Sequence, residues 1–211
     1  GTLHFPAQGS IIINPSDETA LASTAAILKN DLKELMGWEY TIITGKAKKD
    51  GIYLSLSEPD EQLGKEGYEL SILNKASIQA PTAQGVFWGT RTLLQMLYRQ
   101  DAKLAKGMTR DWPEFPNRGF MLDVSRTWVD VDGVKHYIDN LAHHKINKLH
   151  IHLSDDEGWR IEIKSHPELT EIGGFRGVDS PVAGRYGRWQ EHYGGYYTQE
   201  QMREIIEFAA V

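Results

Sequence analysis

Between Leu149 and Arg160 the chain reads LHIHLSDDEGWR, an apolar alternation that ends in a cluster of imidazoles, carboxylates and an indole. In an extended chain Leu149, Ile151 and Leu153 point to one side and His150, His152 and Ser154 to the other. If both faces of this strand are buried, as in a parallel barrel, the histidines face the interior and Asp155 and Asp156 sit at the rim. Two adjacent carboxylates followed by Gly158 are costly to bury, so solvent or a ligand has to satisfy them. Upstream, Arg126 lies just past a second apolar stretch, residues 120–124. If the two stretches are adjacent parallel strands, Arg126 and the carboxylates share one C-terminal rim, the face on which β/α barrels carry out catalysis. A guanidinium fork suits bidentate hydrogen bonding to neighbouring acceptors, vicinal sugar hydroxyls among them, and an aspartate can hold that fork in place. The same residues also describe a structural Arg126–Asp155 ion pair tying two strand ends together.

Other chemistries fit these residues less well. His150 and His152, two apart on one side of a strand, could ligate a metal with Asp155 or Asp156, but no third histidine or distant carboxylate is clearly placed to complete the set. An acid–base pair built from Asp155 and Asp156 meets a geometric objection, because neighbouring residues on a strand point apart. His143 and His144 fall at a helix end, where solvation and a favourable dipole account for them. Trp128, Trp159, Trp189, Tyr193, Tyr196 and Tyr197 could stack on sugar faces; core packing is the alternative for each, more so for Trp159 than for Trp189 and Tyr193.

The elements that must position these groups follow from periodicity and punctuation. Residues 10–14 form a short β-rich run, and Pro15-Ser16-Asp17 makes a helix entry. Leu21, Ala25, Leu28, Leu32 and Leu35 then fall on one helical face, with Gly37 placed to stop the helix. Strands are expected at 40–44, 52–56 and 68–73, the last turning through Asn74-Lys75 into 76–79 as a hairpin, and a second helix at 82–99. Residues 1–110 thus read as a small α+β domain, a sheet covered by two helices. The segment 111–116, with Pro113 and Pro116, reads as a connection. Beyond it come a strand at 120–124, a helix with Val131, Val134, Tyr137, Ile138, Leu141 and Ala142 on its apolar face, and a strand at 148–153. That βαβ order implies parallel strands and a right-handed crossover. A short outer strand is expected at 160–163 and a long loop at 173–197. Thr198 with Gln201 then forms a capping box for a last helix. Residues 111–211 therefore read as α/β, two parallel strands that cannot close a barrel and so the beginning of a larger domain whose remainder is missing. Such a cut sheet would expose the edge of its last strand, so self-association there is expected.

Composition narrows the partners. The 211 residues carry a net charge of −6 with 40% hydrophobic and 25% charged residues, a globular balance without the basic stripe that nucleic acid requires. No apolar run approaches the ~20 residues that span a bilayer. With no cysteine, disulfides and thiolate chemistry are excluded and the compartment is left open.

Several ordered motifs carry a resemblance to a known family. Residues 118–126 (RGFMLDVSR), 150–162 (HIHLSDDEGWRIE) and 194–201 (GGYYTQEQ) strongly resemble the family 20 glycoside hydrolases, the β-N-acetylhexosaminidases. Residues 85–95 (GVFWGTRTLLQ) resemble the end of that family's N-terminal α+β domain. The resemblance implies a (β/α)8 TIM barrel after the small domain, truncated in these residues, and removal of terminal β-linked N-acetylglucosamine or N-acetylgalactosamine from glycans by a substrate-assisted retaining mechanism, with no metal or other cofactor. It implies that Arg126 binds sugar hydroxyls, that Asp155 belongs to the active-site network, and that His152, Asp156 and Glu157 support them. A periplasmic or secreted location is favoured on the same ground. Two departures qualify the match. The family usually has glutamine where this chain has Glu157, and its catalytic Asp–Glu pair lies in a Gly-Gly-Asp-Glu-like motif on a later strand that these residues do not include. The 211 residues are accordingly expected to be a hexosaminidase fragment, inactive alone. Two other readings stay open, a non-catalytic carbohydrate-binding or interaction module and a metal-dependent hydrolase using His150 and His152.

Overall fold

The computed structural model describes residues 1–49, 51–184 and 188–210. They fall into two compact units, Gly1–Pro116 and Asn117–Val211, each with its own hydrophobic core.

In the first unit the order is β1 (Thr2–His4), β2 (Gln8–Ile13), a 3-10 turn (Pro15–Asp17), α1 (Glu18–Met36), β3 (Glu39–Thr44), β4 (Ile52–Leu56), β5 (Tyr68–Ile72), β6 (Ala76–Ala80), α2 (Ala83–Arg99), β7 (Lys103–Ala105) and β8 (Gly107–Asp111). A mixed six-stranded sheet runs β3-β2-β4-β6-β5-β8. Strands β2, β3, β4 and β6 are parallel, while β5 pairs antiparallel with both β6 and β8. Sequence reading finds five of these strands, β2 to β6, and both helices. It misses β1, β7 and β8, which are three to five residues long and lack an apolar alternation; β8 carries the sheet through Asp111.

Both helices follow the expected logic. In α1 the buried residues are Leu21, Thr24, Ala25, Leu28 and Leu32. Gly37 then turns left-handed (φ 68°), and the amides of Gly37 and Trp38 cap the carbonyls of Lys33 and Leu32. Leu35 departs from expectation at 47% exposed; past the cap it is Trp38 that is buried, stacked on Tyr40. Helix α2 starts at Thr82, whose hydroxyl accepts from the Gly85 amide at 3.1 Å. Gly85 and Gly89 lie one turn apart against the sheet: a Cβ on Gly89 would come 2.5 Å from Ile78, so only glycine lets the helix sit this close. Between the helices, buried Arg91 pairs with Asp31 at 2.6 Å.

The second unit comprises β9 (Gly119–Asp123), α3 (Val131–His143), β10 (Lys148–His152), β11 (Ser154–Asp155), β12 (Gly158–Trp159), α4 (Glu168–Glu171), β13 (Phe175–Gly177), β14 (His192–Gly194) and α5 (Gln199–Ala209). Strands β9 and β10 are parallel, with Asp123 level with His152, and α3 connects them. Asp130 caps α3 through the Gly133 amide. The Thr198–Gln201 capping box opens α5 as expected. Leu122, Val124, Val134, Tyr197 and Ile205 form the core, with Leu149, Ile151 and Leu153 packed against it. The opposite side of β10 is open, since His150 is exposed; within this unit the strand is buried on one face only.

Two expectations are corrected. Residues 160–163 do not make an outer strand; Ile161 alone bridges to Tyr197, and a tight β11–β12 hairpin precedes it. Segment 173–197 is not all loop, because β13 and β14 pair antiparallel within it. Positive φ at Gly177 (91°) and Gly194 (145°) lets such short strands close, which leaves no alternation to read. Residues 185–187 of that segment lie outside the described residues.

One side chain organises the second unit. Arg160 is fully buried, and burial lowers its affinity for the proton. Its guanidinium donates to the carbonyls of Val124 (3.1 Å), Ser125 (2.9 Å), Gly195 (3.1 Å) and Gly174. Arg160→Met, which keeps the length and removes the donors, should cost ~3 kcal/mol or more, because those carbonyls lose their partners. Urea unfolding followed by tryptophan fluorescence measures this; a loss below ~1 kcal/mol would mean that water replaces the guanidinium. In the first unit, Leu28→Ala should cost ~2–5 kcal/mol and Leu35→Ala less than ~0.5, by the same assay.

Candidate functional site

Just beyond β9 the chain turns so that Arg126 folds back on the strand that delivered it. Asp123 Oδ1 accepts from the Arg126 amide at 3.0 Å, and Asp123 Oδ2 accepts from Nη1 at 2.9 Å. The next strand supplies the other side. Asp155 Oδ2 lies 2.7 Å from Nη2. The β11–β12 turn brings Glu157 Oε2 to 3.3 Å from Nε. Three carboxylates from two neighbouring strand ends thus surround one guanidinium.

His152 completes the group. Its Nε2 is 2.8 Å from Asp155 Oδ2, and because an ionised carboxylate can only accept, Nε2 carries the proton. Nε2 also stands 3.4 Å from Arg126 Nη1, a contact between two donors and so not a hydrogen bond in this tautomer.

The ionisation of the group follows from these contacts. Burial opposes the charge on Asp123, but the Arg126 hydrogen bonds outweigh it and hold the carboxyl below its ordinary value. The Asp156 amide, donating to Asp155 Oδ1 at 2.8 Å, and the His152 ring do the same for Asp155. Arg126 is pushed up, chiefly by its hydrogen bond to Asp123. All three stay charged across the physiological range.

Exposure separates the two arginines of this unit. Arg160 is enclosed, whereas the Arg126 side chain is 40% exposed, with Asp155 at 27% and Glu157 at 7%. The Arg126–Asp155 pair does tie two strand ends together, yet it leaves part of the fork open to solvent. Such an arrangement can still offer donors to a polyol while its carboxylates take up hydroxyl protons.

The expected residues divide accordingly. Arg126, Asp155, His152 and Glu157 come together. The Asp156 carboxylate makes no hydrogen bond or ion pair among the described residues; its backbone is used instead, the amide by Asp155 Oδ1 and the carbonyl by Arg176 Nη2 at 3.3 Å. His150 is exposed and outside the cluster. Asp123 escaped notice in the sequence, although its position three residues before Arg126 at a strand end was a usable signal. Of the aromatics, Trp128 and Tyr197 pack with ring centroids 4.6 Å apart and planes tilted by 42°, Trp159 donates to the Ile161 carbonyl and Tyr193 to that of Trp128; Trp189 is 64% exposed.

Comparison with known proteins places the chain in a family. The model of glycosyl hydrolase family 20, domain 2, matches residues 1–112, and that of the family's catalytic domain matches residues 115–211. A β-hexosaminidase of Vibrio furnissii is 39% identical over 197 residues, 92% of this chain and 31% of that protein. An N,N'-diacetylchitobiase of Vibrio harveyi is 36% identical over 70% of this chain and 18% of its own length. The crystal structure of the exo-β-N-acetylglucosaminidase from Vibrio harveyi in complex with N-acetylglucosamine superposes with a TM-score of 0.85 at 34% identity, over 99% of this chain and 32% of that one. The β-N-acetylhexosaminidase of Streptomyces coelicolor gives 0.78 at 33% identity, over 100% of this chain and 41% of that one. The chain therefore spans less than half the length of these relatives. With both units matched in order, this chain belongs to glycosyl hydrolase family 20 and carries its domain 2 followed by the start of its catalytic domain.

Proposed function

We propose that this chain supplies the sugar-hydroxyl end of the active site of a β-N-acetylhexosaminidase, which removes terminal β-linked N-acetylglucosamine or N-acetylgalactosamine from glycans. The observation that carries the reading is Arg126, held on three edges by Asp123, Asp155 and Glu157 while 40% of its side chain stays open. A fork fixed in this way meets two neighbouring hydroxyls without paying the entropy of ordering a free arginine. In the substrate-assisted reaction the acetamido oxygen attacks the anomeric carbon, the glycosidic oxygen leaves with a proton from an acid, and water opens the cyclic intermediate with retention. The residues described here bind and orient. Asp123 and Asp155 are held ionised beside a cation, which suits them to accepting hydroxyl protons and unsuits them to donating one at neutral pH. Residues 1–211 alone should therefore release no nitrophenol from the nitrophenyl N-acetylglucosaminide, whereas the complete protein should; a complete protein that binds the sugar without cleaving it would favour the binding-module reading.

Two measurements probe the cluster. Arg126→Lys should weaken N-acetylglucosamine binding to the complete protein about tenfold or more, because an ammonium cannot reproduce the planar fork. Calorimetry reads this, and undiminished affinity would remove Arg126 from the site. The second concerns acid. Since Asp123 and Asp155 titrate below the ordinary aspartate value of about 3.9, the stability they contribute is complete above that pH. It is lost as the pH falls through their lower folded-state values. Thermal melts should show the wild type losing more Tm below about pH 4 than Asp123→Asn does. Equal acid slopes would take Asp123 out of that dependence.

A further inference from the structure

Arginine is long and rich in rotamers, and a ligand that must order such a side chain for itself loses about tenfold or more in affinity. The main chain that leads into Arg126 is already fixed. Val124 and Ser125 are fully buried. The Ser125 amide donates to the His152 carbonyl at 3.2 Å, carrying the β9–β10 pairing past the strand ends. Ser125 Oγ donates to the Gly158 carbonyl at 2.9 Å, and the carbonyls of Val124 and Ser125 both accept from Arg160. What stays free to turn at Arg126 is the side chain.

Three carboxylates reach that side chain by different routes. Glu157 makes the longest contact, 3.3 Å to Nε. Asp155 comes from the neighbouring strand end, and its Oδ2 is shared between Arg126 Nη2 and the His152 ring. Asp123 grips Arg126 twice, with Oδ1 on the backbone amide at 3.0 Å and Oδ2 on Nη1 at 2.9 Å. One carboxylate thus ties the guanidinium back to its own main chain, a closed loop of contacts that few rotamers satisfy. The Asp123 bond is also the leading cause of the raised proton affinity of Arg126. Asp123 in turn ends β9, level with His152 on β10, so the orientation of the fork is referred to the parallel strand pair.

We propose that Asp123 is a positioning residue, acting on the sugar through Arg126 by holding the fork in the orientation that meets two neighbouring hydroxyls. This rests on the sugar-binding reading above, and a double-mutant cycle on the complete protein lets the two fail separately. The cycle compares kcat/KM for the nitrophenyl N-acetylglucosaminide in the wild type, D123N, R126A and the double variant. Asparagine keeps an oxygen for the Arg126 amide but turns an NH2 group towards the guanidinium, so the turn is retained and the grip is lost. D123N should lower kcat/KM about tenfold or more, chiefly by raising KM, which marks lost binding of the sugar. R126A should lower it at least as far, and the double variant should match R126A within about twofold, because no fork is left for Asp123 to hold. A double variant that loses the product of the two single effects means that Asp123 acts independently of Arg126, and overturns the inference. So does D123N at the wild-type kcat/KM while R126A is impaired. So does a D123N loss confined to kcat, in step with a loss of folded protein by circular dichroism, which is the signature of a purely structural role. R126A at the wild-type kcat/KM overturns the sugar-binding reading and the inference with it. A complete protein that binds N-acetylglucosamine without cleaving the glycoside counts against the glycosidase reading alone, and the same cycle of affinities by calorimetry then decides the inference; one that does neither overturns both.

Discussion

The second unit depends on a cation placed where water cannot reach it. Burying a guanidinium is expensive, and what offsets the cost in this protein is a full set of backbone acceptors: the carbonyls of Val124, Ser125, Gly174 and Gly195 converge on Arg160. These four carbonyls come from three separate stretches of chain, the end of β9 and the two loops flanking the β13–β14 hairpin. The two loops already meet each other, the Gly195 amide donating to the Gly174 carbonyl at 2.9 Å, and Arg160 ties that hairpin end to the end of β9. The Arg160 backbone extends the tie, its amide donating to Leu153 and its carbonyl accepting from Tyr197. Nearby, Gly158 and Gly194 leave the room that the guanidinium occupies.

Against this anchored frame Arg126 behaves differently. Both arginines follow a strand end and both are multiply engaged, but Arg160 meets neutral carbonyls and the ring of Trp128 inside the protein, and Arg126 meets carboxylates near the surface. A buried cation satisfied by dipoles holds shape. A half-open cation held by anions keeps its charge and its orientation while still presenting a face to solvent. The Asp123 contact to both the amide and the guanidinium of Arg126 fixes the side chain relative to its own backbone, so the geometry of the fork is inherited from β9.

Much of this was legible in the sequence. The α1 stripe, the Gly37 stop, the hairpin at Asn74-Lys75, the βαβ crossover and the capping box at Thr198 are written in local patterns, and the structure has them. Arg126 and Asp155 could be brought together because a parallel pair puts both strand ends at one rim. Three kinds of feature were not legible. Strands such as β1 and β7 draw their pairing from distant partners rather than from their own alternation. The β13–β14 hairpin relies on glycine dihedrals that no hydrophobic pattern records. Arg160 looked like the polar end of a motif, because burial of a charge is decided by what the chain brings to it from 14 and 35 residues away.

Those separations have a consequence for how the protein is made. The partners of Arg126 lie within a short span, with His152 only 26 residues downstream and Glu157 closing the set soon after. A ribosome working from the N-terminus releases β9, α3, β10 and the β11–β12 turn before the segment around Gly195, so the charged cluster can assemble while Arg160 still lacks its last acceptor. The Arg126 cluster would then be shaped first and locked second, and a pause in translation between those two events would leave a nascent chain with its ions in place and its frame still soft.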